Sequence, residues 1–273
     1  MADRGDRFRY EGKRVVVTGG ASGVGAALVA LLSELGAARI TVLDRKPPSG
    51  SVAYLETDLG DPASIDAAVS AIDGRVDALF NNAGVAATKA TPVVIAVNYL
   101  GLRRLSERLL PRIPRGGAIV NTASMAGNQW PARVAAIDEL LAIPDWDAAL
   151  AWIAGHPDVV ADPYAFSKEC VQRHTMRSSR ATIRRGVRTN SVCPGPIDTP
   201  LMAEFRATLS DQLIDWSVSQ QGIDRMMTGD DVAPALAFLG SDASAWVNGV
   251  NLPVDAGFTA ALATGQVDFG ALA

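Results

Sequence analysis

A tyrosine and a lysine lie four positions apart in the stretch DPYAFSKE, residues 162 to 169. Asp162 is a favourable helix cap, and Pro163 suits a first helical turn. Tyr164 and Lys168 are therefore expected at i and i+4 near the start of a helix, on one face. A free tyrosine has a pKa near ~10, and a neighbouring ammonium favours its phenolate. The pair is a candidate acid/base, although the tyrosine could equally pack and the lysine be solvated.

A glycine-rich turn, TGGASGVG at residues 18 to 25, joins an apolar run to a long amphipathic segment. Glycine lets the chain turn sharply and approach a pyrophosphate closely, and the following helix N-terminus offers free N–H groups. The turn lacks the Gly-Lys-Ser/Thr ending of a nucleotide-hydrolysing loop. It is therefore either a dinucleotide site or no more than a tight turn.

An acidic residue follows at the spacing typical of a ribose contact. Asp44 ends the second apolar run, 25 residues after Gly19, close to where a carboxylate meets the adenosine ribose hydroxyls. The same charge would repel a 2′-phosphate, so NAD is expected in preference to NADP. Arg45 is a complication, because a neighbouring arginine can bind that phosphate.

Strands and helices alternate around these residues. Short, apolar and often β-branched runs predict strands, and longer amphipathic segments between them predict helices. Such alternation predicts a parallel sheet with helices on both faces. We see no repeat or composition break, so residues 1–273 are expected to form one domain. The predicted strands are 14–18, 39–44, 76–80, 118–124, 186–192 and 249–255, and the longest predicted helices are 25–36 and 91–110, the latter capped by Thr91.

Two segments depart from the simple alternation. Residues 127–161 contain two predicted short helices, and residues 200–222 follow a PGPIDTP turn and contain another. Both follow predicted strand ends, where ligands bind in open α/β sheets. Trp130, Trp146, Trp152 and Trp216 fall in these segments, which predicts either a wall for a hydrophobic ligand or an anchor to the core. Met202 belongs to the same expected substrate side.

The composition excludes several other classes. The 273 residues carry a net charge of −4 and are 48% hydrophobic, which argues against nucleic acid or an anionic membrane as partner. The charged amino terminus and the short apolar stretches predict a soluble cytoplasmic protein. Cys170 and Cys193 do not indicate a disulfide framework. His156 and His174 have no metal-ligand spacing, so no metal is expected.

Six motifs occur in an order that gives a specific resemblance. Over residues 12 to about 258 the chain resembles a short-chain dehydrogenase/reductase. The resemblance implies a single-domain α/β fold, a Rossmann-type doubly wound parallel sheet with a helical insertion before the catalytic tyrosine helix. The motifs are TGGASGVG (18–25), NNAG (81–84), VNYLG (97–101), IVNTAS (119–124), YAFSK (164–168) and PGPIDT (194–199).

The same resemblance implies the roles of individual residues. The family's catalytic tetrad would be Asn98, Ser124, Tyr164 and Lys168. Residues implied to bind the cofactor, besides Tyr164 and Lys168, are Gly19, Ser22, Gly23, Val24, Gly25, Asp44, Arg45, Asp58, Leu59, Asn81, Ala83, Gly84, Pro194, Gly195, Ile197 and Thr199. The less specific substrate candidates are Trp130, Trp152, Met202 and Trp216.

The long interval between Ser124 and Tyr164 departs from most members of the family. It looks like the bacterial 3α-hydroxysteroid dehydrogenase/carbonyl reductase subgroup, in which related sequences also oxidise aromatic alcohols such as coniferyl alcohol. In that subgroup the insertion obstructs a helix-mediated subunit contact, so a homodimer is expected, with a tetramer as the alternative. Ala123 replaces the first of a frequent Ser-Ser pair, and VDAG replaces VDGG, but neither change removes a tetrad residue.

These expectations predict an NAD-dependent dehydrogenase or reductase for a hydrophobic alcohol or ketone. Tyr164 would exchange the hydroxyl proton, Ser124 would hold the substrate oxygen, and Lys168 would lower the pKa of Tyr164 and bind the nicotinamide ribose. Asn98 would hold a water that passes protons to solvent. Two alternatives remain at this point: a nucleotide-sensing binding protein without turnover, and an epimerase or dehydratase.

Overall fold

Seven parallel strands form one sheet in the computed structural model, which describes residues 4–208, 210–223 and 225–267. The strands are β1 (Arg14–Thr18), β2 (Arg39–Asp44), β3 (Ala53–Glu56), β4 (Ala78–Asn81), β5 (Ala118–Thr122), β6 (Arg188–Pro194) and β7 (Asn251–Val254). Their order is β3-β2-β1-β4-β5-β6-β7. Because β1 pairs with both β2 and β4, the strand order reverses there, which is where a doubly wound sheet opens a ligand crevice.

Helices cover both faces of the sheet. Within the described residues they are α1 (Gly23–Glu34), α2 (Pro62–Ala71), α3 (Thr91–Ile95), α4 (Gly101–Leu109), α5 (Val134–Ala142), α6 (Trp146–Gly155), α7 (Pro163–Arg184), α8 (Pro200–Arg206), α9 (Asp211–Ser219), α10 (Gly229–Gly240) and α11 (Phe258–Ala263). None of these helices is long and apolar enough to cross a membrane. The predicted α/β class, with a single doubly wound parallel domain, is confirmed.

One strand was missed by the sequence patterns. The edge strand β3 has only four residues, AYLE, and its side chains are half-buried or exposed. So short a run gives little alternation, and its place in the sheet comes from pairing with β2. The six predicted strands are all present: β1 and β2 have the predicted ends, and the other four are shifted. For example, the run predicted at 186–192 forms β6 two residues later.

The predicted helix over 91–110 is interrupted. α3 and α4 are joined by one π-helical turn, Ala96–Leu100, and the residue before the helix is Ala90, so Thr91 is not its cap. A hydrophobic pattern does not distinguish an α-helical turn from a π-helical one, and π turns are often found at functional sites. Asn98 lies in this turn.

Two apolar layers fix the helices on the sheet. On one face α1 and α10 pack together, burying Leu28 and Leu236 against Phe80 of β4. On the other face Ile65 of α2 and Leu105 of α4 are fully buried. Each such side chain contributes roughly 1.5–3 kcal/mol on burial. The two layers hold the strand ends, and therefore the loops that follow them, in fixed positions.

The insertion, residues 127–161, packs on the amino-terminal part of α7. Ile137 and Leu140 of α5 and Ile153 of α6 form one buried cluster with Phe166. Arg133 adds a 2.5 Å ion pair with Glu169, whose side chain is fully buried. The insertion is therefore a packed layer over the tyrosine helix.

Candidate active site

The start of α7 matches the predicted capped helix. Asp162 is the N-cap and its Oδ1 accepts a 3.0 Å hydrogen bond from the N–H of Ala165, while Pro163 is the first helical residue. Tyr164 and Lys168 lie one turn apart, with the Lys168 Nζ atom 5.7 Å from the centre of the tyrosine ring. The cap and the proline fix where α7 begins, and so fix the position of the tyrosine.

The carboxyl end of β5 brings a third group to this pair. The Tyr164 and Ser124 side chains are joined by a hydrogen bond. The Ser124 hydroxyl also accepts a 3.1 Å hydrogen bond from the N–H of Ala126. Lys168 donates from Nζ to the Thr122 carbonyl at 2.9 Å. Strand and helix therefore meet at two hydroxyls and an ammonium group.

Burial dominates the electrostatics of this pair. Burial raises the pKa of Tyr164 to about 12, and nearby Asp162 adds to the rise, while the hydrogen bond with Ser124 opposes it. Burial also lowers the pKa of Lys168 to about 8. Burial is thus the largest influence on the pKa of Tyr164 here, and the expectation that Lys168 and the cationic nicotinamide ring together bring it toward neutrality stays a prediction.

Asn98 is committed to the protein around it. Its Oδ1 accepts from the N–H of Val85 at 2.8 Å, and its Nδ2 donates to the Val85 carbonyl and to the Ser167 hydroxyl, both at 3.0 Å. Both amide hydrogens are thereby used. The side chain joins the π turn to the loop after β4 and to α7, next to Lys168.

The glycine loop depends on close contacts between main-chain atoms. Gly19 has a φ of +68°, and a Cβ there would lie 2.7 Å from the Cα of Ala83; a Cβ on Gly25 would lie 2.0 Å from the Gly19 carbonyl oxygen. Ser22 occupies the N-cap position of α1, but its side chain makes no capping hydrogen bond. Gly23 and Val24, the first residues of α1, line the cleft, and the missing side-chain cap leaves the helix N-terminus suited to a pyrophosphate.

Asp44 lies beside this loop at the end of β2. Its Oδ2 accepts from the N–H of Ala21 at 3.0 Å, and its Oδ1 accepts from the N–H of Lys46 at 3.1 Å. These bonds orient the carboxylate and leave it further lone pairs. Arg45 is exposed next to it and Lys46 also lines the cleft, so the Asp44 carboxylate lies beside two cations at this end.

One cleft of about 1230 Å³ connects these features. It runs along the carboxyl edge of the sheet from the glycine loop to α8 and α9, and its size exceeds that of most small-ligand pockets. The predicted residues that line it are Gly19, Ser22, Gly23, Val24, Asp44, Arg45, Asp58, Leu59, Ala83, Gly84, Ser124, Tyr164, Lys168, Pro194, Gly195, Ile197, Thr199 and Met202.

The prediction that Asn81 lines the cofactor cleft is corrected by the structure. Its Nδ2 donates to the Ser106 hydroxyl at 2.8 Å and to the Asn121 Oδ1 at 2.9 Å, inside the protein. The next residue, Asn82, lines the cleft instead. Side chains alternate across a strand, and the NNAG motif alone does not tell which asparagine faces outward.

The tryptophans expected in the substrate wall lie elsewhere, among the residues that the structure describes. Trp152 stacks on His156 and Phe166, with ring centres 4.1 and 6.3 Å apart. Trp130 has the Arg173 guanidinium 5.4 Å from its centre, and Trp216 packs edge-on against Phe258. The placement of Trp130, Trp152 and Trp216 in the substrate site is therefore corrected; Trp130 and Trp152 anchor the insertion.

The apolar wall near Tyr164 comes from α8 and α9. Phe205, Leu213 and Ile214 line it together with the predicted Met202. The Phe205 ring lies edge-on to the Tyr164 ring, with centres 4.7 Å apart and planes at 73°. The sequence signal for these residues is the helical pattern after PGPIDTP, which does not by itself tell which apolar side chains face the cleft.

The sheet order and the glycine loop define a dinucleotide-binding, Rossmann-type protein. Residues 13–136 match a family model described as short chain dehydrogenase, and residues 153–259 match one described as Enoyl-(Acyl carrier protein) reductase. The chain is 37% identical over 247 residues to a coniferyl-alcohol dehydrogenase of Pseudomonas sp., covering 90% of this chain and 96% of that protein. The chain therefore belongs to the short-chain dehydrogenase family of oxidoreductases, as the motifs predicted.

Two further relatives extend the comparison. The (-)-isopiperitenol/(-)-carveol dehydrogenase of Mentha piperita is 29% identical and is aligned over 91% of this chain and 94% of its own. The crystal structure of a 3-alpha-hydroxysteroid dehydrogenase from Pseudomonas sp. B-0831 complexed with NADH matches with a TM-score of 0.78 at 30% identity, covering 94% of this chain and all of that one. Both subgroups suggested by the long interval before Tyr164 are thus among the relatives.

Proposed function

We propose that this protein is an NAD-dependent dehydrogenase that interconverts a hydrophobic alcohol and its carbonyl compound. The observation that carries the proposal is the single cleft in which Tyr164, Ser124 and Lys168 meet at one end and the glycine loop and Asp44 lie at the other. Relatives named for coniferyl alcohol, carveol and a 3-alpha-hydroxysteroid support a hydrophobic alcohol.

The residues of the cleft fit a nicotinamide dinucleotide. The uncapped N-terminus of α1 would bind the pyrophosphate, and Asp44 would accept from the ribose hydroxyls. A Cβ on Gly84 would lie 3.6 Å from Lys168 Nζ and 3.3 Å from Asn98 Oδ1, so the missing side chain leaves space for the second ribose. Asp58 and Leu59 would flank the adenine. Pro194, Gly195, Ile197 and Thr199 would contact the nicotinamide end.

NAD is proposed rather than NADP because Asp44 places a carboxylate at the ribose end. Relatives of known structure include one complexed with NADH and one, from Burkholderia cenocepacia, complexed with NADP, so the preference must come from this chain's own residues. Arg45 and Lys46 also line that end. The Asp44 carboxylate is held by two N–H groups and remains next to any 2′-phosphate, which it would repel.

The bound cofactor supplies a hydride acceptor when the alcohol is oxidised. Tyr164 would take the hydroxyl proton and Ser124 would donate to the substrate oxygen. With its pKa near 8, Lys168 is mostly an ammonium at neutral pH. A unit charge at about 4 Å is worth roughly 4 kcal/mol, or about three pKa units. Lys168 and the cationic nicotinamide ring together would have to offset the burial of Tyr164.

Asn98 has a narrower role in this mechanism than the sequence predicted. Both hydrogens of its amide are used by Val85 and Ser167. A water that carries protons away from Lys168 would therefore be held by the remaining lone pair of Oδ1 or by the main-chain carbonyl. We propose that the side chain mainly fixes the distance between α7 and the loop after β4.

The remaining proposals concern the whole chain. We propose that the chain forms one 273-residue domain and that the protein is soluble and cytoplasmic. We further propose a homodimer, because the insertion covers the amino-terminal part of α7. Light scattering would test the assembly, and a tetramer would contradict it. The function itself is tested by a panel of steroids, terpenols and aromatic alcohols with NAD and with NADP, followed by absorbance at the wavelength of the reduced cofactor. No reduced cofactor from any alcohol would refute the proposal.

A further inference from the structure

Phe205 lies against the proposed acid/base. Its ring is edge-on to the Tyr164 ring at 4.7 Å between centres, and it lines the cleft from α8. The same wall contains Met202, Leu213 and Ile214. Phe205 therefore places an aromatic ring against the tyrosine that is proposed to exchange a proton with the substrate oxygen, whereas the other three side chains of this wall are aliphatic.

The position of the substrate follows from the chemistry proposed above. Its oxygen must lie about 2.6–3.2 Å from the Tyr164 hydroxyl for proton transfer. The group attached to the carbinol carbon then begins next to the Phe205 ring. Aromatic pairs prefer offset or edge-on contacts and gain free energy beyond the area that they bury. A flat, π-bonded group is therefore favoured at this place over a puckered saturated ring.

The neighbouring residue holds Phe205 in position. Glu204 accepts a hydrogen bond from the Thr88 hydroxyl and lies 3.9 Å from the Lys89 ammonium. Thr88 and Lys89 belong to the loop after β4, across the cleft from α8. These contacts join α8 to the loop after β4 across the cleft, at the residue immediately before Phe205. Both contacts are partly exposed and therefore weak, so they orient α8 without holding the cleft permanently closed.

We propose that Phe205 determines the substrate specificity of the dehydrogenase, selecting alcohols that carry an aromatic or conjugated group close to the carbinol carbon. Glu204 is the positioning residue that keeps Phe205 against Tyr164. This inference rests on the proposed function. It narrows the hydrophobic alcohols to those with a flat unsaturated substituent, and it sets saturated alicyclic alcohols, including the steroid nucleus, outside the preferred class.

A matched pair of substrates tests the inference. Cinnamyl alcohol and 3-cyclohexylpropan-1-ol have the same number of non-hydrogen atoms, and kcat/KM is measured for both in the wild type and in Phe205→Leu and Phe205→Tyr. The change in the ratio of the two values cancels the intrinsic reactivity of each alcohol. We expect Phe205→Leu to lower the ratio by about three- to tenfold, and Phe205→Tyr, which keeps a ring, to hold it within about twofold. NADH binding checks that each variant is folded.

The positioning role has its own variant and control. Glu204→Ala is expected to lower the same ratio toward that of Phe205→Leu, whereas Glu107→Ala, an exposed change on α4, is expected to leave it unchanged. If Phe205→Leu lowers kcat/KM equally for both alcohols, the specificity role is overturned while the dehydrogenase stands. If Glu204→Ala lowers both equally, its positioning role is overturned. If none of the alcohols supports reduction of NAD by the wild type, the proposed function itself fails.

Discussion

The two ends of the cleft are built by different means. At the cofactor end, main-chain atoms approach each other closely: a side chain on Gly19 would meet Ala83, and one on Gly25 would meet Gly19. At the substrate end, helices α8 and α9 present large side chains such as Phe205 and Ile214. The first end tolerates almost no change of residue type, whereas the second can change its wall without changing the fold.

This difference explains where sequence motifs are informative. A close main-chain contact requires glycine and therefore leaves a readable pattern. A substrate wall requires only apolar volume, which many residues supply.

The largest effect is expected from Tyr164→Phe. The change removes the proton-carrying oxygen and keeps the ring that packs on Phe205, so turnover should fall by about 10²–10⁴-fold. NADH binding, followed by fluorescence titration, should be nearly unchanged. Wild-type turnover in this variant would remove Tyr164 from the acid/base role.

The insertion is expected to matter for stability. Arg133→Met leaves the fully buried Glu169 carboxylate without its 2.5 Å partner, at a cost of about 3–5 kcal/mol in the free energy of unfolding. Adding Glu169→Gln to Arg133→Met should restore part of that loss, because no buried charge remains. Denaturant unfolding measures both. A cost below about 1 kcal/mol would mean that the insertion is only loosely attached.

Sequence motifs predicted the capped tyrosine helix and the glycine turn because both depend on neighbours within a few positions. They missed β3, whose place depends on a partner strand, and they assigned Asn81 to the cleft because a motif does not give the direction of a side chain. The tryptophans were misplaced for a related reason: large rings bury well both in a core and in a pocket. Which of these occurs is decided by tertiary packing.

A smaller effect concerns acid stability at His174 of α7, whose ring packs against Tyr99. Burial, with Arg103 and Arg177, lowers the pKa of His174 to about 4 from its usual 6.5. Between these values the unfolded chain binds more protons than the folded one, so stability is lost as the pH falls from 6.5 to 4. The loss is about 2 kcal/mol after allowing for partial exposure. His174→Gln should remove that part of the slope in unfolding measured across this window; an unchanged slope would contradict the assignment.

The smallest predicted change concerns cofactor binding beside Lys168. Gly84→Val places a branched side chain in front of Lys168 and Asn98, at 3.3–3.6 Å for the Cβ itself. The Kd for NADH should rise about tenfold, equal to roughly 1.4 kcal/mol. Gly155→Val is the matched control, because a Cβ there meets nothing within 4 Å. Equal NADH affinities in the two variants would place the ribose elsewhere.

The central claim is that hydride passes directly between an alcohol carbon and the nicotinamide ring in this cleft. The most direct measurement supplies wild-type protein with NAD and an alcohol in which every hydrogen on the carbinol carbon is deuterium, and then weighs the reduced cofactor by mass spectrometry. We predict that one deuterium appears in the reduced cofactor for each carbonyl product formed, and that Tyr164→Phe forms almost none. Substrate conversion that leaves the cofactor unlabelled, or a product that keeps the oxidation state of the alcohol, would contradict the account.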